Sequence, residues 1–131
     1  MDIDEARAFV RRNPRGVLAT LRNDGRAQVT PVLVGVDPEG RLEVSSREAT
    51  AKVRNLRRDP RASFCAFTER FFGDNVQVYG TADIVSLPEA MEPLVAYYRR
   101  LAGEHPDWND YRQAMAKEQR CLIRITIEEA V

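Results

Sequence analysis

The sequence has very little of the chemistry on which hydrolases and metal sites depend. Its 131 residues include one histidine and two cysteines. His105 lies in the helix-ending stretch Gly-Glu-His-Pro-Asp, and one histidine in a loop completes neither a metal site nor a Ser–His–Asp or Cys–His set. Cys65 and Cys121 are far apart and form no CxxC pair, so we interpret them as small buried apolar residues. The sequence therefore predicts no metal site and no hydrolase.

Net charge and long apolar runs are also missing. Twenty basic and twenty acidic residues cancel, which gives no electrostatic reason to expect nucleic acid or an anionic membrane as a partner. No apolar run approaches the roughly 20 residues needed to cross a bilayer. The N-terminal stretch MDIDEARAFVRRNP is acidic and then helical, unlike a secretory signal peptide. We therefore expect a soluble cytoplasmic protein that acts on a small molecule.

The spacing of apolar residues predicts one domain over residues 1–131, built mainly from strands. Helical spacing begins at Ile3 and returns near 50–58, 86–102 and 108–117. Ser86 with Glu89, and Pro88 in the first turn, are expected to open the third of these helices. Turn signals separate six predicted strands, at 16–22, 27–36, 41–46, 61–68, 75–85 and 122–127. Six mostly antiparallel strands fit a small barrel with one half splayed open, whose expected core includes Val29, Leu33, Leu42, Val44, Phe64 and Val78.

The most informative segment runs from Ser45 to Ser63. A predicted strand leads there into hydroxyl side chains, and then into a short helix whose first turn carries Thr50 and Lys52. Helix N-termini present unpaired backbone N–H groups and a positive dipole end, so they bind anions readily. Hydroxyls and one lysine gathered at such a point favour a phosphate site. The alternative is a solvated amphipathic helix that buries Val53 and Leu56 and leaves its arginines in water.

Three stretches of the chain resemble one family. They are AKVRNLRRDPRAS at 51–63, YYRRLAGEHPDWNDYRQAM at 97–115, and GVLATL at 16–21 followed by Asp24-Gly25-Arg26. They are similar to the flavin-binding split-barrel superfamily, which includes the pyridoxamine 5′-phosphate oxidases. The second stretch resembles the branch of actinobacterial reductases that use the deazaflavin coenzyme F-420 in place of FMN. The resemblance implies a mainly β fold with flanking helices, a six-stranded antiparallel split β-barrel.

The resemblance also implies a cofactor site. Proline cannot donate to a strand ladder, so Pro31 fits either a ligand-facing opening or a harmless sheet edge. Asn75 is expected to contact the cofactor across a dimer interface, or else to be merely solvated. The implied site consists of a strand beneath the flavin or deazaflavin ring (Gln28, Thr30, Pro31, Val32), a phosphate and ribityl segment (Ser45, Ser46, Thr50, Ala51, Lys52), and Asn75.

Two departures from the oxidases bear on the cofactor and the reaction. FMN-dependent oxidases usually place Arg-Lys on the terminal phosphate, where this chain has Ala51-Lys52. The loss of a bidentate arginine disfavours the nearly doubly charged FMN phosphate more than the singly charged F-420 phosphodiester, unless Arg47 or Arg54 compensates. The chain also stops at Val131 without the arginine segment that holds the substrate phosphate in pyridoxamine 5′-phosphate oxidases. Vitamin B6 oxidation is therefore not expected.

We therefore expect a homodimeric F-420-dependent oxidoreductase that transfers hydride to an unsaturated, electron-poor small molecule. No catalytic side chain is predicted, because the cofactor performs the chemistry and the protein binds and orients it. Phe71, Phe72 and the loop 69–74 are expected to line the substrate pocket. The alternatives are an FMN-dependent oxidase or reductase on the same fold, and a non-catalytic carrier of flavin, deazaflavin or heme.

Overall fold

The computed structural model describes residues 1–70 and 72–131. Asp2 caps the first helix, and its carboxylate accepts a hydrogen bond from the backbone N–H of Asp4 at 2.7 Å. Within the described ranges the elements are α1 (Ile3–Arg12), β1 (Arg15–Leu21), β2 (Ala27–Leu33), β3 (Gly35–Val36), β4 (Leu42–Arg47), α2 (Ala51–Arg58), β5 (Arg61–Phe67), β6 (Asn75–Val85), α3 (Met91–Ala102), α4 (Trp108–Lys117) and β7 (Arg120–Ala130).

The strands form one curled antiparallel sheet in the order β2-β1-β5-β6-β7-β4-β3. β2 and β3 lie at opposite edges of this order, although only Val34 separates them along the chain. Two residues on either side of one residue are at most about 7 Å apart. The two edges of the sheet must therefore meet at Val34, and the sheet curls into an open half-barrel.

The mainly β fold with flanking helices is confirmed, but the prediction of six strands is wrong. The predicted strand at 27–36 divides at Val34 into β2 and β3. At the division, the backbone N–H of Val34 donates to the carbonyl of Pro14 at 2.7 Å, outside the strand ladder. One apolar run thus supplies both edges of the sheet. Alternation along a sequence cannot reveal such a division, because both halves keep extended backbone.

The main core fills the inside of the curl. Leu42, Val44, Phe64 and Val78 are buried there, as predicted. Val29 and Leu33 are 64% and 43% exposed, so their assignment to the core is wrong. The reason is register: Val29 pairs with Ala19 and Leu33 with Arg15, whereas the buried residues of β1 pair with the alternate positions of β2. A second core joins α3 and α4 to Leu122 of β7.

The connection from β4 to α2 is tied to the end of β6. Ser86 donates its hydroxyl hydrogen to Glu48 Oε1 at 2.5 Å, and Arg57 of α2 pairs with the other oxygen of Glu48 at 2.7 Å. α3 begins at Met91 rather than near Ser86. The prediction that Ser86 opens this helix is therefore wrong, because a carboxylate from another element takes its hydroxyl. α2 itself buries Val53 and Leu56, as the amphipathic pattern predicts.

Candidate functional site

A gap opens between β2 and the second half of β4. β3 pairs only with Leu42 and Glu43, and in the described chain β4 from Val44 to Arg47 has no strand partner on that side. Among the described strands, β2 pairs only with β1. The two unpaired edges diverge from Val34, and we call the space between β2 and residues 44–47 the split. Unpaired strand edges offer backbone donors and acceptors to a ligand.

Tyr97 of α3 lies at the closed end of the split. Its hydroxyl donates to the carbonyl of Leu33 at 2.7 Å. Burial raises the pKa of Tyr97, against a smaller opposing effect of a hydrogen bond from the backbone of Ser45. The tyrosine thus touches both edges where they separate. Sequence reasoning missed this residue because Tyr97 and Tyr98 are equivalent in the pattern of α3, and only packing decides which of them faces the split.

At the other end, a groove of about 520 Å³ separates β2 from α2. The amide nitrogen of Asn55 donates to Gln28 Oε1 at 2.9 Å and to Thr20 Oγ1 at 3.1 Å. Asn55 is 6% exposed. Its position on the buried side of α2, beside Leu56, is the signal that sequence reasoning could have used, since buried amides need partners. The lining residues are Arg22, Asn23, Ala27, Gln28, Val29, Ala51, Asn55 and Arg58.

The start of α2 leaves backbone donors open. Thr50 occupies the N-cap position but makes no side-chain hydrogen bond to the first turn. Its hydroxyl lies 2.9 Å from that of Ser46, and both hydroxyls reach the carbonyl of Arg47 at 3.1 Å. The N–H groups of the first turn are therefore without their usual internal acceptor. This arrangement suits an anionic ligand at the end of the split.

Lys52 is the half-buried cation beside this helix start. Within the described part of the chain its ammonium group makes no hydrogen bond or ion pair. Burial lowers the pKa of Lys52, and repulsion by Arg120 lowers it further. An anion bound here would relieve both effects. The two arginines that might share this task are already engaged: Arg47 with Glu118 at 3.4 Å and Arg54 with the carbonyl of Ala49 at 2.7 Å.

The structure divides the predicted ring-binding strand between two faces. Gln28, Thr30 and Val32 pair with Thr20, Leu18 and Gly16, which are buried, so they face the inside of the curl. Pro31 is exposed on the opposite face. The four predicted ring contacts therefore do not share one surface, because a strand alternates its side chains.

The predicted phosphate residues are brought together, but Asn75 is not. Ser46 and Thr50 are in contact, and Ala51 and Lys52 follow directly in α2. Asn75 is exposed at the start of β6, which lies three strand spacings from β2, about 14 Å along the sheet. Within one chain it lies away from the split.

The outer face of the sheet exposes four large apolar side chains, which we call the outer apolar face. Val29, Leu33, Phe67 and Tyr79 are between 38% and 64% exposed. The registers of β1 with β2 and β5, and of β5 with β6, place these four side chains on one side of the sheet. Exposed large apolar side chains grouped on one side of a sheet are common at interaction sites.

Two other functional features can be stated for the described ranges. They contain no group of three or more His, Cys, Asp or Glu side chains placed to hold a metal ion. Their helices are too short or too polar to span a bilayer.

A cleft of about 700 Å³ between the end of β4 and α4 is larger than the groove, but no predicted site residue lines it.

Comparison with known proteins relates this architecture to one family. The sequence model described as pyridoxamine 5′-phosphate oxidase matches residues 3–131. The conserved hypothetical protein Rv2991 of Mycobacterium tuberculosis is 28% identical, with a TM-score of 0.81 and coverage of 99% of this chain and 82% of that one. An F420 reductase is 22% identical, with a TM-score of 0.73 and coverage of 95% and 94%. A heme-binding protein of Mycobacterium smegmatis is 20% identical, with a TM-score of 0.75 and coverage of 98% and 52%. The last two likenesses show the fold alone.

Proposed function

The chain belongs to the pyridoxamine 5′-phosphate oxidase family, and on that premise we propose that it is an oxidoreductase that binds coenzyme F-420 in the split. When bound, the reduced deazaflavin supplies hydride to an electron-poor unsaturated small molecule. The protein binds and orients the cofactor and excludes water from it. The observation that carries this proposal is Lys52, a half-buried cation without an acidic partner in the described chain, beside an uncapped helix start.

The charge of the site favours F-420 over FMN. A phosphate monoester such as that of FMN carries about 1.5 to 2 negative charges, whereas a phosphodiester carries one. The site offers one unpaired lysine, and Ala51 stands where a second cation would assist it. Arg47 and Arg54 are held by Glu118 and by the carbonyl of Ala49. FMN is the alternative cofactor, and its tight capture would require one of these arginines to change partners.

The remaining groups of the split suit a flat, polar-edged ring. Thr30 and Gln28 are half-buried polar side chains on the inner face of β2, and Val32 adds an apolar contact on the same face. Tyr97 closes one end, and its hydroxyl donates its hydrogen bond to the carbonyl of Leu33. Ser45 and Ser46 lie on the opposite edge. The protein therefore orients the ring through one edge strand. Pro31, on the opposite face of that strand, takes no part in this contact.

We propose that the outer apolar face forms a homodimer interface and that Asn75 reaches the cofactor from the partner subunit. Self-complementary two-fold contacts are the commonest way in which such a face is covered. Phe72, in the loop 69–74, is 89% exposed, and a role in the substrate pocket stays a prediction. Phe71 lies outside the described residues.

The test is direct binding. The absorbance spectrum of the purified protein is recorded first, because a co-purified flavin, deazaflavin or heme is visible there. The protein is then titrated with F-420 and with FMN, following the fluorescence of each. The proposal predicts saturable F-420 binding that is tighter than FMN binding. Tight FMN binding without F-420 binding would overturn the choice of cofactor. F-420 binding without turnover of any acceptor would favour the carrier.

A further inference from the structure

A chain of three side chains leads from the surface of α2 into the groove. Arg58 Nη2 donates to the carbonyl of Leu21 at 2.8 Å and to Asn55 Oδ1 at 3.0 Å. A guanidinium group has donors and no acceptor. The oxygen of the Asn55 amide must therefore face Arg58, and its nitrogen must face the other way.

The nitrogen of Asn55 has two N–H groups, and both are used. They donate to Thr20 Oγ1 and to Gln28 Oε1, at 3.1 and 2.9 Å. Because Asn55 is buried, reversing its amide would place oxygen against oxygen at Gln28 and nitrogen against the guanidinium at Arg58. The Gln28 amide could turn to match, but the contact with Arg58 would hold the buried nitrogen of Asn55 against a donor and leave it without an acceptor. The polarity of the Asn55 amide is therefore set by Arg58.

The orientation of the Asn55 amide fixes that of the Gln28 amide. Its oxygen accepts from Asn55, so its NH2 group is the half of the amide directed away from Asn55. Gln28 lines the groove. Its nitrogen makes no hydrogen bond within the described ranges. Gln28 thus presents N–H donors to the groove. Arg58, two side chains away, determines that the amide presents its donor end and not its acceptor end.

We infer that Arg58 and Asn55 are positioning residues that orient the Gln28 amide as a donor, and that the site selects ligands with a carbonyl or another acceptor at this point. The inference rests on the proposed function, in which the cofactor ring lies against the inner face of β2, where Gln28 borders the groove. A ligand that presents an N–H group there would meet donors and be rejected, because the amide cannot rotate without breaking its bond to Asn55.

The first experiment compares two changes at Gln28 in the full chain, with F-420 as the probe. Gln28→Met removes the donor and keeps the length of the side chain, so the dissociation constant should rise about tenfold. Gln28→Glu keeps the shape but presents an oxygen, so binding should be weaker than in Gln28→Met. If the acceptor end faced the ligand, Gln28→Glu would be the milder change. Equal or tighter binding by Gln28→Glu than by Gln28→Met overturns the inference.

The second experiment tests whether Asn55 acts through Gln28. Asn55→Asp cannot donate to Gln28, so the Gln28 amide should turn its oxygen to the groove, weaken F-420 binding by about tenfold or more, and shift the absorbance maximum of bound F-420. In the Gln28→Met background, Asn55→Asp should cause no further loss. Losses that multiply in the double variant would show a charge or packing effect and overturn the inference. Asn109→Asp, on the surface of α4, is the control for added charge.

The outcomes separate the two levels of the argument. Binding by the parent protein, with the wrong order of variants, refutes the orientation of Gln28 and leaves the cofactor assignment intact. Absence of both F-420 and FMN binding in the parent refutes the proposed function and the inference with it. Urea unfolding of each variant reports folding. If Asn55→Asp does not fold, the Gln28 comparison decides alone, since that side chain lies on an edge strand.

Discussion

The hydroxyl of Tyr97 donates to the carbonyl of Leu33 at 2.7 Å, at the point where the chain leaves one edge of the sheet for the other. α3 is thereby attached to the vertex of the split. A second contact supports the same docking: Arg100, one turn further along α3, forms an ion pair with the buried carboxylate of Glu43 on β4. Burial raises the pKa of Tyr97, so the hydroxyl keeps the proton that it donates. The width of the split therefore depends on the position of a helix.

Tyr97→Phe should lower the free energy of unfolding by about 1 kcal/mol, the usual net value of one hydrogen bond. It should also weaken cofactor binding, because the two edges of the split lose a shared contact. Urea unfolding and F-420 titration measure the two effects. Tyr98→Phe is the control, since the hydroxyl of that neighbouring tyrosine on α3 makes no hydrogen bond within the described ranges. Equal effects of the two substitutions would contradict a special role for Tyr97.

Lys52→Ala should weaken cofactor binding by about 1.5–3 kcal/mol, the range for a hydrogen bond to a charged group. The protein should still fold, because a half-buried ammonium group without an ionic partner does not stabilise the folded state. Lys117→Ala is the matched control, since Lys117 is an exposed lysine at the end of α4. Fluorescence titration with F-420 and FMN gives both constants. Parent-like binding by Lys52→Ala would show that the phosphate lies elsewhere.

Sedimentation at micromolar concentration should show a dimer. Phe67→Lys places a charge on the outer apolar face, where Phe67 of β5 is 45% exposed, and should produce a monomer. Gln113→Lys is the control: it also introduces a lysine, but on the exposed side of α4, and it should leave the dimer intact. Loss of the dimer should also remove cofactor binding if Asn75 of the partner contributes. A monodisperse parent monomer that binds F-420 stoichiometrically would contradict both the interface and the role of Asn75.

Reduced F-420 with the protein should reduce activated double bonds, and oxidation of pyridoxamine 5′-phosphate should be negligible. Deazaflavins pass hydride and react poorly with oxygen, on which that oxidation depends. Apolar pockets discriminate by only about 1–3 kcal/mol per methylene, so several bulky conjugated acceptors should be accepted. Spectroscopic turnover assays over quinones, enones and tetrapyrroles measure this. No turnover of any acceptor, with F-420 bound, would indicate a carrier.

Asp37 should contribute stability that acid removes. Burial alone would raise the pKa of its carboxyl group, but hydrogen bonds from Arg41 and Glu39 outweigh this and hold the pKa below its ordinary value. A depressed pKa in the folded state gives stability above the unfolded-state value that is lost as pH falls through the folded-state value. Asp37→Asn should therefore cost about 1–2 kcal/mol at pH 7, and less at pH 3. Urea unfolding at both values tests this, and a pH-independent difference would contradict it.

The local elements follow from the sequence because their signals are local. The helical spacing from Ile3 to Val10, the buried face of α2 at Val53 and Leu56, and the gathering of Ser46, Thr50 and Lys52 each depend on neighbours within a few residues. The same is true of four of the six predicted core residues. These signals also carried the resemblance to the family to which the chain belongs.

The features that the sequence pattern predicted wrongly depend on contacts between residues far apart in the chain. Apolar alternation is the same on either face of an edge strand, so it placed Val29 and Leu33 in the core when register turns them outward. Ser86 has the spacing of a helix cap, but Glu48, 38 residues away, takes its hydroxyl.

The sequence by itself determined which segments are extended and which are helical, and it placed two hydroxyls and a lysine near the start of α2, because these features arise from residue type and short-range spacing. Only the tertiary structure decided that one run would divide at Val34 into two sheet edges, that Tyr97 would meet Leu33, and that Asn55 would orient Gln28. These contacts join residues 27 to 64 positions apart. Their partners are chosen by packing and by the need to satisfy buried polar groups, which no local pattern records.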